Sequence, residues 1–561
     1  MKNIIKNMFL PYIVIISTNL IITSISLSAD YYVSFSQGND SWNGLASTYQ
    51  GGNVGPWKTI GKVNLSQASF NPGDKIHFKG GDVWNENSAL NITKSGSEGM
   101  PIIYTSYGEG YPKLRRGAVV TGWSGPDENG VYSIATTTCS ALWEDDILMK
   151  RATTASCSDG SWYLDGGYLY YKPSSGVPTD HTVVRQQGGG CSISASYVTI
   201  DNLQFFSQIY TSGGSFYNVT IQNCLFDNSS GGIFITCTTG DGHNYTIQNN
   251  IFRHSTNNIY LVSGDGATRL WRNTLIKNNT ITNWNMTADP AYYGQAFYTT
   301  GDRDGLSFQN LKDSIVEYNH IYNGKLDTGG ICHWIKTGVA ATGNIIRYNR
   351  IHDIYSAGII NDGGSDNTAN CKIYGNIIYN YAVDNSTDCG GIRLNRAQTS
   401  TEPSEVYNNT IYNGDIGIYL NSLPNNYIIK NNIVHTVRNY FVSSNTLINQ
   451  NILDFNCYYP GATGSKFRLA GTDYTFSGWK TATGQDGGSI TAEPVFVNPL
   501  NGDFRLQSGS PAITAGVPLG LTKDYLGNKW RNPPSMGAIE YYKISGKISP
   551  KTLGGVNYGV R

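Results

Sequence analysis

The stretch TIQNCLFDNSSGGIFITCTTGDGHNYTIQNNIF (220–252) begins and ends with two copies of one phrase, and this phrase decides the fold. Each copy has an apolar pair, one or two polar or small residues, an asparagine and a further apolar residue. An imperfect earlier copy is TIDNLQF (199–205). The later copies are LIKNNTI (275–281), IVEYNHI (315–321), IIRYNRI (345–351), KIYGNII (372–378), VYNNTI (406–411), IIKNNIV (428–434) and LINQNIL (447–453). Such repetition indicates a stack of similar structural units.

The spacing of the copies favours coils made of strands. Aligning one asparagine from each copy, from the copy at 246–252 onward, gives steps of 29, 40, 30, 27, 33, 23 and 19 residues. The aligned positions are Asn250, Asn279, Asn319, Asn349, Asn376, Asn409, Asn432 and Asn451. Unequal steps without helical periodicity fit short strands joined by loops of unequal length. Stacked asparagines would satisfy each other's amides and the turn backbone. We therefore expect a parallel β solenoid whose coils bury an apolar face against their neighbours.

The composition is rich in turn residues and poor in charge. Charged residues make up 14% of the 561 residues, against about a quarter in typical soluble domains. Forty Lys and Arg balance 40 Asp and Glu. The net charge of zero excludes a nucleic-acid protein held by a strong positive field. The 65 glycines and 39 tyrosines fit a β-rich chain with uncharged, aromatic surfaces rather than a helical bundle.

The first 29 residues have the pattern of an export signal. Lys2 and Lys6 precede an apolar stretch at 8–22, and small residues follow as far as Ala29. An uncleaved membrane anchor is the alternative, because Leu27 is an unfavourable residue at the −3 position for cleavage after Ala29. No later segment is apolar for long enough to span a bilayer. We expect an exported protein that is extracellular, periplasmic or held at the cell surface.

Nine cysteines are scattered along the chain without CxxC pairs, so a zinc site is not expected. Cys139 and Cys157 flank a hairpin-like region, and export would permit a disulfide between them. We assign no cysteine a catalytic role.

Three segments outside the repeat carry a family resemblance. They are YYVSFSQGNDSWNG…GPWKTIGKVN…FNPGDKIHFKGGDVW (31–85), SDGSWYLDGGYLYYKP (158–173) and EPVFVNPLNGDFRLQSGSPAITAG…DYLGNKWRNPPSMGAIEY (493–541). They resemble the N-terminal cap, the β insertion and the closing segment of the secreted, carbohydrate-active branch of the pectate-lyase-like superfamily. The resemblance implies a right-handed parallel β-helix. It implies no single activity, because that superfamily contains lyases, hydrolases, epimerases and non-catalytic adhesins.

The repeat and the resemblance together divide the chain into six parts. These are a signal peptide (1–29), an N-terminal cap with the first coils (30–115), a β-rich insertion (116–190), the main parallel β-helix (191–460), a C-terminal closing segment (461–543) and a tail (544–561).

After each asparagine phrase a loop leads to a strand that often begins with glycine. The clearest examples are GICHW (330–334), GIIND (358–362), GIRLN (391–395) and GIYLN (417–421). Alternation along a strand sends the residue after each glycine inward and the next outward. The predicted inward residues are Ile331, Ile359, Ile392 and Ile418, with His333, Asn361, Leu394 and Leu420. The predicted outward columns are Cys332, Ile360, Arg393 and Tyr419, beside Trp334, Asp362, Asn395 and Asn421. With coils about 4.8 Å apart, these columns would form one flat outer face suited to sugar rings and hydroxyls.

This outer face holds the main candidates for function. Asp362 is the candidate catalytic acid, base or metal ligand, and Arg393 is the candidate to bind a sugar carboxylate. A plain surface ion pair between the two is the alternative. Asp362 and Asp366 could hold a calcium ion, although their loop is not an EF-hand pattern, and the sequence requires no cofactor. The candidate substrate-binding residues are Trp334, Asn395, Tyr419 and Asn421.

Further candidates lie in the loops. Asp327 and Asp388 each precede a Gly-Gly pair, two coils and so about 9–10 Å apart. This distance is compatible with the two carboxyls of an inverting glycosidase, although an aspartate before Gly-Gly also serves as a turn residue. His352 and Asp353 are a candidate catalytic pair or a hydrogen-bonded turn. Arg303 lies in the longest inter-coil insertion, which would form either one side of a groove or an ordered loop without function.

Three classes of function remain. A glycoside hydrolase is favoured, because acidic clusters outnumber well-placed lysines around residues 313–421. A polysaccharide lyase is the first alternative, and it would need Lys325, Lys336 or Arg393 as base, with Ca²⁺ or arginine to neutralise a uronate. A non-catalytic glycan-binding or cell-envelope protein is the second. In each case the expected partner is a polysaccharide, with no nucleic acid and no membrane span after signal cleavage, and we expect a monomer.

Overall fold

The computed structural model describes residues 28–211, 213–255, 258–263, 268–284, 304–324, 329–334, 341–362, 370–383, 389–395, 403–421, 426–448, 450–460, 464 and 466–543, with the backbone alone at His333 and Trp334. Within these residues, three long sheets run side by side along the molecule. One coil contributes one strand to each, as Val219–Gln222, Leu225–Asp227 and Ile233–Cys237 do. The architecture is the parallel β-helix that the sequence predicts.

The first sheet is formed by the strands that precede each asparagine turn. Its described strands are Asp30–Val33, Lys75–Lys79, Ile102–Tyr107, Val198–Asp201, Val219–Gln222, Thr246–Gln248, Leu275–Lys277, Ile315–Glu317, Asn344–Arg347, Cys371–Tyr374, Ser404–Tyr407, Tyr427–Lys430 and Ile452–Asp454.

The second sheet follows the turn. Its parallel strands in the described residues are Val83–Glu86, Lys113–Val119, Gln204–Phe205, Leu225–Asp227, Ile251–Arg253, Thr280–Thr282, His320–Tyr322, Arg350–His352, Ile377–Tyr379, Thr410–Tyr412, Ile433–His435 and Cys457–Tyr459. Antiparallel strands extend it at the N-terminal end, namely Val183–Gln186, Leu142–Glu144 and Ile147–Leu148.

The third sheet carries the glycine-initiated strands. Its described strands are Leu90–Ile92, Cys191–Ile193, Ile209–Thr211, Ile233–Cys237, Ile259–Ser263, Leu306–Gln309, Ile331–Trp334, Ile359–Asp362, Gly390–Asn395, Ile416–Asn421, Tyr440–Ser444 and Lys466–Leu469, with Thr472–Tyr474 antiparallel at the end. Smaller parallel strands, Gly242–His243, Trp271–Arg272 and Leu311–Lys312, lie in the loops that lead back to the first sheet.

An asparagine ladder fixes the turn between the first two sheets. The side-chain amide of each rung donates to the side-chain oxygen of the next rung at 3.0 Å. The rungs are Asn250, Asn279, Asn319, Asn349, Asn376, Asn409, Asn432 and Asn456. The residue before each rung has a positive φ, as at Asn249 (57°) and Tyr348 (56°), and this left-handed residue makes the sharp corner.

The predicted last rung, Asn451, is wrong. The true rung is Asn456, which lies 24 residues after Asn432 and accepts its side-chain amide. Asn451 lies one corner earlier, where its side chain accepts a hydrogen bond from the backbone N–H of Tyr427 at 2.9 Å. The phrase around residue 451 resembles the repeat because an apolar strand follows it, but that strand, Ile452–Asp454, belongs to the first sheet.

A short helix packs on the apolar core near each end. Helix Ile60–Ser66 begins at Thr59, whose side chain accepts from the N–H of Lys62, and it buries Ile60 and Val63. Near the other end, helix Phe476–Thr483 places Trp479 in the same core, with its ring 5.1 Å from that of Phe467. Single-turn 3₁₀ helices span Gln67–Ser69, Pro178–Asp180 and Pro499–Asn501.

A small sheet lies between the first coils and the main helix. Its strands are Tyr132–Ala135, Lys150–Arg151, Ser161–Asp165 and Tyr168–Lys172. Arg115 links this region to the helix, since its buried guanidinium bonds Asp146 and lies 3.9 Å from the ring centre of Phe206.

The closing segment covers parts of the first and second sheets. Its two-stranded ribbon, Phe496–Asn498 and Asp503–Leu506, places Phe504 against Tyr379 and Tyr412 of the second sheet, with ring centres 5.1 and 5.5 Å apart. Leu519, Leu521 and Tyr525 pack on the tyrosines of the first sheet. These contacts of the closing segment lie on the first and second sheets.

The nine cysteines are all buried free thiols. Cys139 and Cys157 therefore do not form the disulfide that the sequence allowed, and burial raises the pKa of Cys139 to about 12. Within the described residues, no helix has the length and apolarity needed to cross a membrane.

Candidate functional site

The candidate site is the outer face of the third sheet, and its register is as predicted. Trp334 pairs with Asp362, Asp362 with Asn395, and Asn395 with Asn421. The second outward column pairs in the same order, as Cys332, Ile360, Arg393 and Tyr419. The predicted inward residues Ile331, Ile359, Ile392, Ile418, Asn361, Leu394 and Leu420 are all buried.

Side chains from neighbouring coils form one hydrogen-bonded network on this face. The Asn395 side chain is at its centre: its Nδ2 donates to Asp362 Oδ2 at 3.1 Å. Its Oδ1 accepts from Arg393 Nε at 3.0 Å and from Asn421 Nδ2 at 3.1 Å. A carboxylate, a guanidinium and two amides are thus held in fixed relative positions by strands that are rigidly paired.

Arg393 is oriented by two contacts that leave its outer nitrogens available. Its Nε bonds Asn395, and its guanidinium carbon lies 5.7 Å from the ring centre of Tyr419. Among the described residues, neither terminal nitrogen of Arg393 has a hydrogen-bond or ion-pair partner. A planar, partly buried guanidinium held in this way is suited to a carboxylate or to paired hydroxyls of a ligand.

The face is more enclosed than the sequence predicts. Asp362 is only 6% exposed, Asn395 7% and Tyr419 6%. Alternation sets which way a side chain points, but it does not set how much of that side chain water reaches. Asp362 and Arg393 also do not form the surface ion pair considered above, because Asn395 bridges them.

This face has one further member that the sequence pattern does not predict. Asn445 continues the amide column, since its Nδ2 donates to Asn421 Oδ1 at 2.8 Å and to the Tyr419 hydroxyl at 3.0 Å. Its strand, Tyr440–Ser444, lacks the initial glycine and has a register irregularity between Tyr440 and Val442. The sequence does contain one signal for this residue. An apolar residue is followed by Ser-Ser-Asn, which places the asparagine at the same distance from the apolar residue as in the other strands.

His352 and Asp353 lie elsewhere, at the second sheet. His352 Nδ1 bonds Asp353 Oδ2 at 2.6 Å, and its Nε2 lies 2.9 Å from Nε2 of His320. Burial lowers the pKa of His352, whereas the Asp353 partner opposes that shift. The ring also stacks on Tyr379, whose far side contacts Phe504 of the closing segment. The pair therefore does not join Asp362 and Arg393 in one site.

Several predicted site residues lie outside the described residues. They are Asp327, Asp388, Asp366 and Arg303, as well as Lys325 and Lys336, together with the side chain of Trp334. In the part of the chain that is described, no group of three or more His, Cys, Asp or Glu side chains converges as a metal site would require.

Solved structures share this architecture, which is the right-handed parallel β-helix fold. The complex of XylC with xylose has a TM-score of 0.57 at 12% identity, and the match covers 92% of this chain and 98% of that one. A GH136 lacto-N-biosidase from Eubacterium ramulus gives 0.43 at 14% identity, over 83% and 67% of the two chains. Pectate lyase Pel9A gives 0.34 at 14%, over 92% and 98%. At 12% identity, the likeness to the XylC complex shows the fold alone. No protein-family model and no curated protein sequence matches this chain.

Proposed function

We propose that this protein is a carbohydrate-active enzyme that cleaves an extracellular polysaccharide by hydrolysis on the outer face of the third sheet. The observation that carries the proposal is the network of Asp362, Asn395 and Arg393. It joins a nearly buried carboxylate to a guanidinium with available nitrogens, on rigid strands and beside the amides of Asn421 and Asn445. The fold shared with a protein that was solved with xylose supports testing sugars first.

In this proposal Asp362 acts as the catalytic acid or base, and Arg393, Tyr419 and Asn421 bind the sugar. Hydrolysis needs a second carboxyl, at about 5–5.5 Å for retention or about 6.5–9.5 Å for inversion. Asp327 and Asp388 are the proposed sources. Residues 1–29 would direct the protein out of the cell, where it would meet an extracellular polysaccharide.

A polysaccharide lyase is the second candidate, and Arg393 is the observation that favours it. Its oriented guanidinium would neutralise the carboxylate of a uronic acid, as β-elimination requires. Calcium bound by Asp362 and Asp366 would serve the same purpose. A glycan-binding protein without catalysis would use the same residues but release no product.

The test is to incubate the purified protein with neutral and uronic polysaccharides, with calcium or with a chelator. New reducing ends without ultraviolet absorbance of an unsaturated uronate would establish hydrolysis. Absorbance would establish the lyase. Binding without either product would refute both and leave the non-catalytic alternative.

The residue assignment has its own prediction. Asp362→Asn should lower the turnover number by at least about 100-fold, the usual contribution of a general acid or base. Arg393→Ala should chiefly weaken substrate binding. Asp159→Asn is the matched control, because Asp159 has 72% side-chain exposure and pairs with Lys172 in the insertion. Full activity of a folded Asp362→Asn variant would remove this face as the site.

A further inference from the structure

A cleft on the closing segment combines two positive charges with an aromatic wall. It has a volume of about 440 Å³ and is lined by Leu521, Thr522, Lys523, Gly527, Lys529 and Trp530. A tight turn forms it: Lys523 and Lys529 are direct antiparallel partners, and the Gly527 N–H bonds the carbonyl of Asp524 at 3.0 Å. Leu521 also packs on the tyrosines of the first sheet, so the cleft belongs to a different face from Asp362 and Arg393.

Lys523 and Lys529 are exposed and lie opposite each other, so their like charges repel, although water screens the repulsion. Like charges on directly opposite residues of an antiparallel pair repel each other. Among the described residues, neither ammonium has a carboxylate within 4.0 Å. The nearest carboxylate in sequence, Asp524, is fully buried, where it accepts hydrogen bonds from Asn528 and from the N–H of Glu540. Both lysines therefore line the cleft without a carboxylate partner among the described residues.

The aromatic wall is held in place independently of any ligand. The indole Nε1 of Trp530 donates to the carbonyl oxygen of Lys523 at 2.8 Å, and the hydroxyl of Tyr348 donates to the same oxygen at 2.7 Å. The Trp530 bond orients the indole within the turn, and the Tyr348 bond ties the turn to the corner that follows the first sheet. Together with Leu521, Trp530 offers an apolar surface for the C–H face of a ring. A simple inorganic anion would use the charges but leave this surface empty.

We propose that this cleft binds an acidic saccharide residue, a uronate or a sulfated sugar. Lys523 and Lys529 pair with its negative group, and Trp530 stacks against its ring. The proposal rests on the polysaccharide partner proposed above, but it requires neither Asp362 nor Arg393. The cleft would hold an acidic polymer on the protein at a distance from the site of cleavage.

Isothermal titration calorimetry tests the proposal with four probes: trigalacturonic acid, a sulfated disaccharide, neutral xylotriose and sodium sulfate. Titrations are made in wild-type protein and in Arg393→Ala, so that binding at the third sheet is separated from binding at the cleft. We expect at least one acidic sugar to bind both proteins at least tenfold more tightly than xylotriose and sulfate. The double variant Lys523→Gln/Lys529→Gln and the variant Trp530→Ala should each lose at least tenfold in affinity. Lys75→Gln, at an exposed lysine on strand Lys75–Lys79 of the first sheet, should change nothing.

Each contrary result overturns the proposal. Equal binding of xylotriose would remove the role of charge, and equal binding of sulfate would leave an anion site without sugar recognition. Loss of all binding in Arg393→Ala would place the acidic sugar on the third sheet. Unchanged binding in the double variant would exclude the cleft. Without ligand, the double variant should melt at the same or a higher temperature, because repulsion is relieved; a lower melting temperature would mean that the lysines are structural.

Discussion

At the scale of single residues, the asparagine ladder shows how a buried polar group can specify a turn. Each rung is almost fully buried and still finds partners for its amide. In the middle of the ladder, Asn349 donates to Asn376 and to the carbonyl of Val316, and it accepts from the backbone and side chain of Asn319. These are obligatory bonds, because water does not reach the corner.

Asn349→Ala should therefore destabilise the protein by about 3 kcal/mol, since it leaves buried donors and acceptors on two neighbouring coils unpaired. The midpoint of urea-induced unfolding measures the loss. Asn87→Ala, at an exposed asparagine, is the control and should change the midpoint little. Equal midpoints for the two variants would show that the ladder is a consequence of the fold rather than a contributor to its stability.

At the scale of elements, strand alternation made the third sheet predictable. Ile359, Asn361 and Leu394 point inward, whereas Asp362 and Arg393 point outward. The glycine at the start of each phrase indicates which alternate residues face the core. Asn445 was missed because its strand has no such glycine. Asn451 was assigned to the wrong corner because the short repeated motif does not indicate which of the three sheets the following strand joins.

The helix Phe476–Thr483 has a separate role, which the sequence did not reveal. Trp479 is fully buried against Phe467, and its indole N–H donates to Asp486 at 2.8 Å. Trp479→Ala should cost about 3–5 kcal/mol, the usual range for removing a buried tryptophan. It should also promote self-association, measured by light scattering, because the last strands of the third sheet would lose their cover. Ser477→Ala, on the exposed side of the same helix, should do neither. A monomeric Trp479→Ala variant of normal stability would contradict this role.

At the scale of the whole molecule, the contacts between distant segments could not be predicted from the sequence. The repeat predicts the coils, yet nothing local indicates that Phe504 covers Tyr379 and Tyr412, or that Lys523 accepts a bond from Tyr348. The same holds for the enclosure of Asp362 and the bridge through Asn395. Side-chain direction follows from local pattern, whereas burial depends on contacts between distant segments, which only the complete fold brings together.

These long-range contacts also set the response to acid. Burial lowers the pKa of His320 from 6.5 to about 3, with His352 and Arg350 adding to the effect, and burial lowers that of His435 to about 4. Because the folded protein binds these protons less readily than the unfolded chain, this stability is present above pH 6.5 and is lost as the pH falls. His181 acts in the opposite sense, since Asp145 raises its pKa, but the Asp145 side chain is 52% exposed and solvent screens the pair.

The net result should be a loss of stability between pH 6.5 and about 4, of up to about 1.4 kcal/mol per pH unit for each such histidine. Melting temperatures measured across this range should fall less steeply in the double variant His320→Gln/His435→Gln than in the wild type. His254→Gln is the control, because that ring has 47% side-chain exposure. An unchanged slope in the double variant would mean that carboxylates rather than these histidines govern unfolding in acid. A flattened slope would show that the outer face of the second sheet senses pH, because a protonated His320 or His435 cannot be accommodated there without loss of packing.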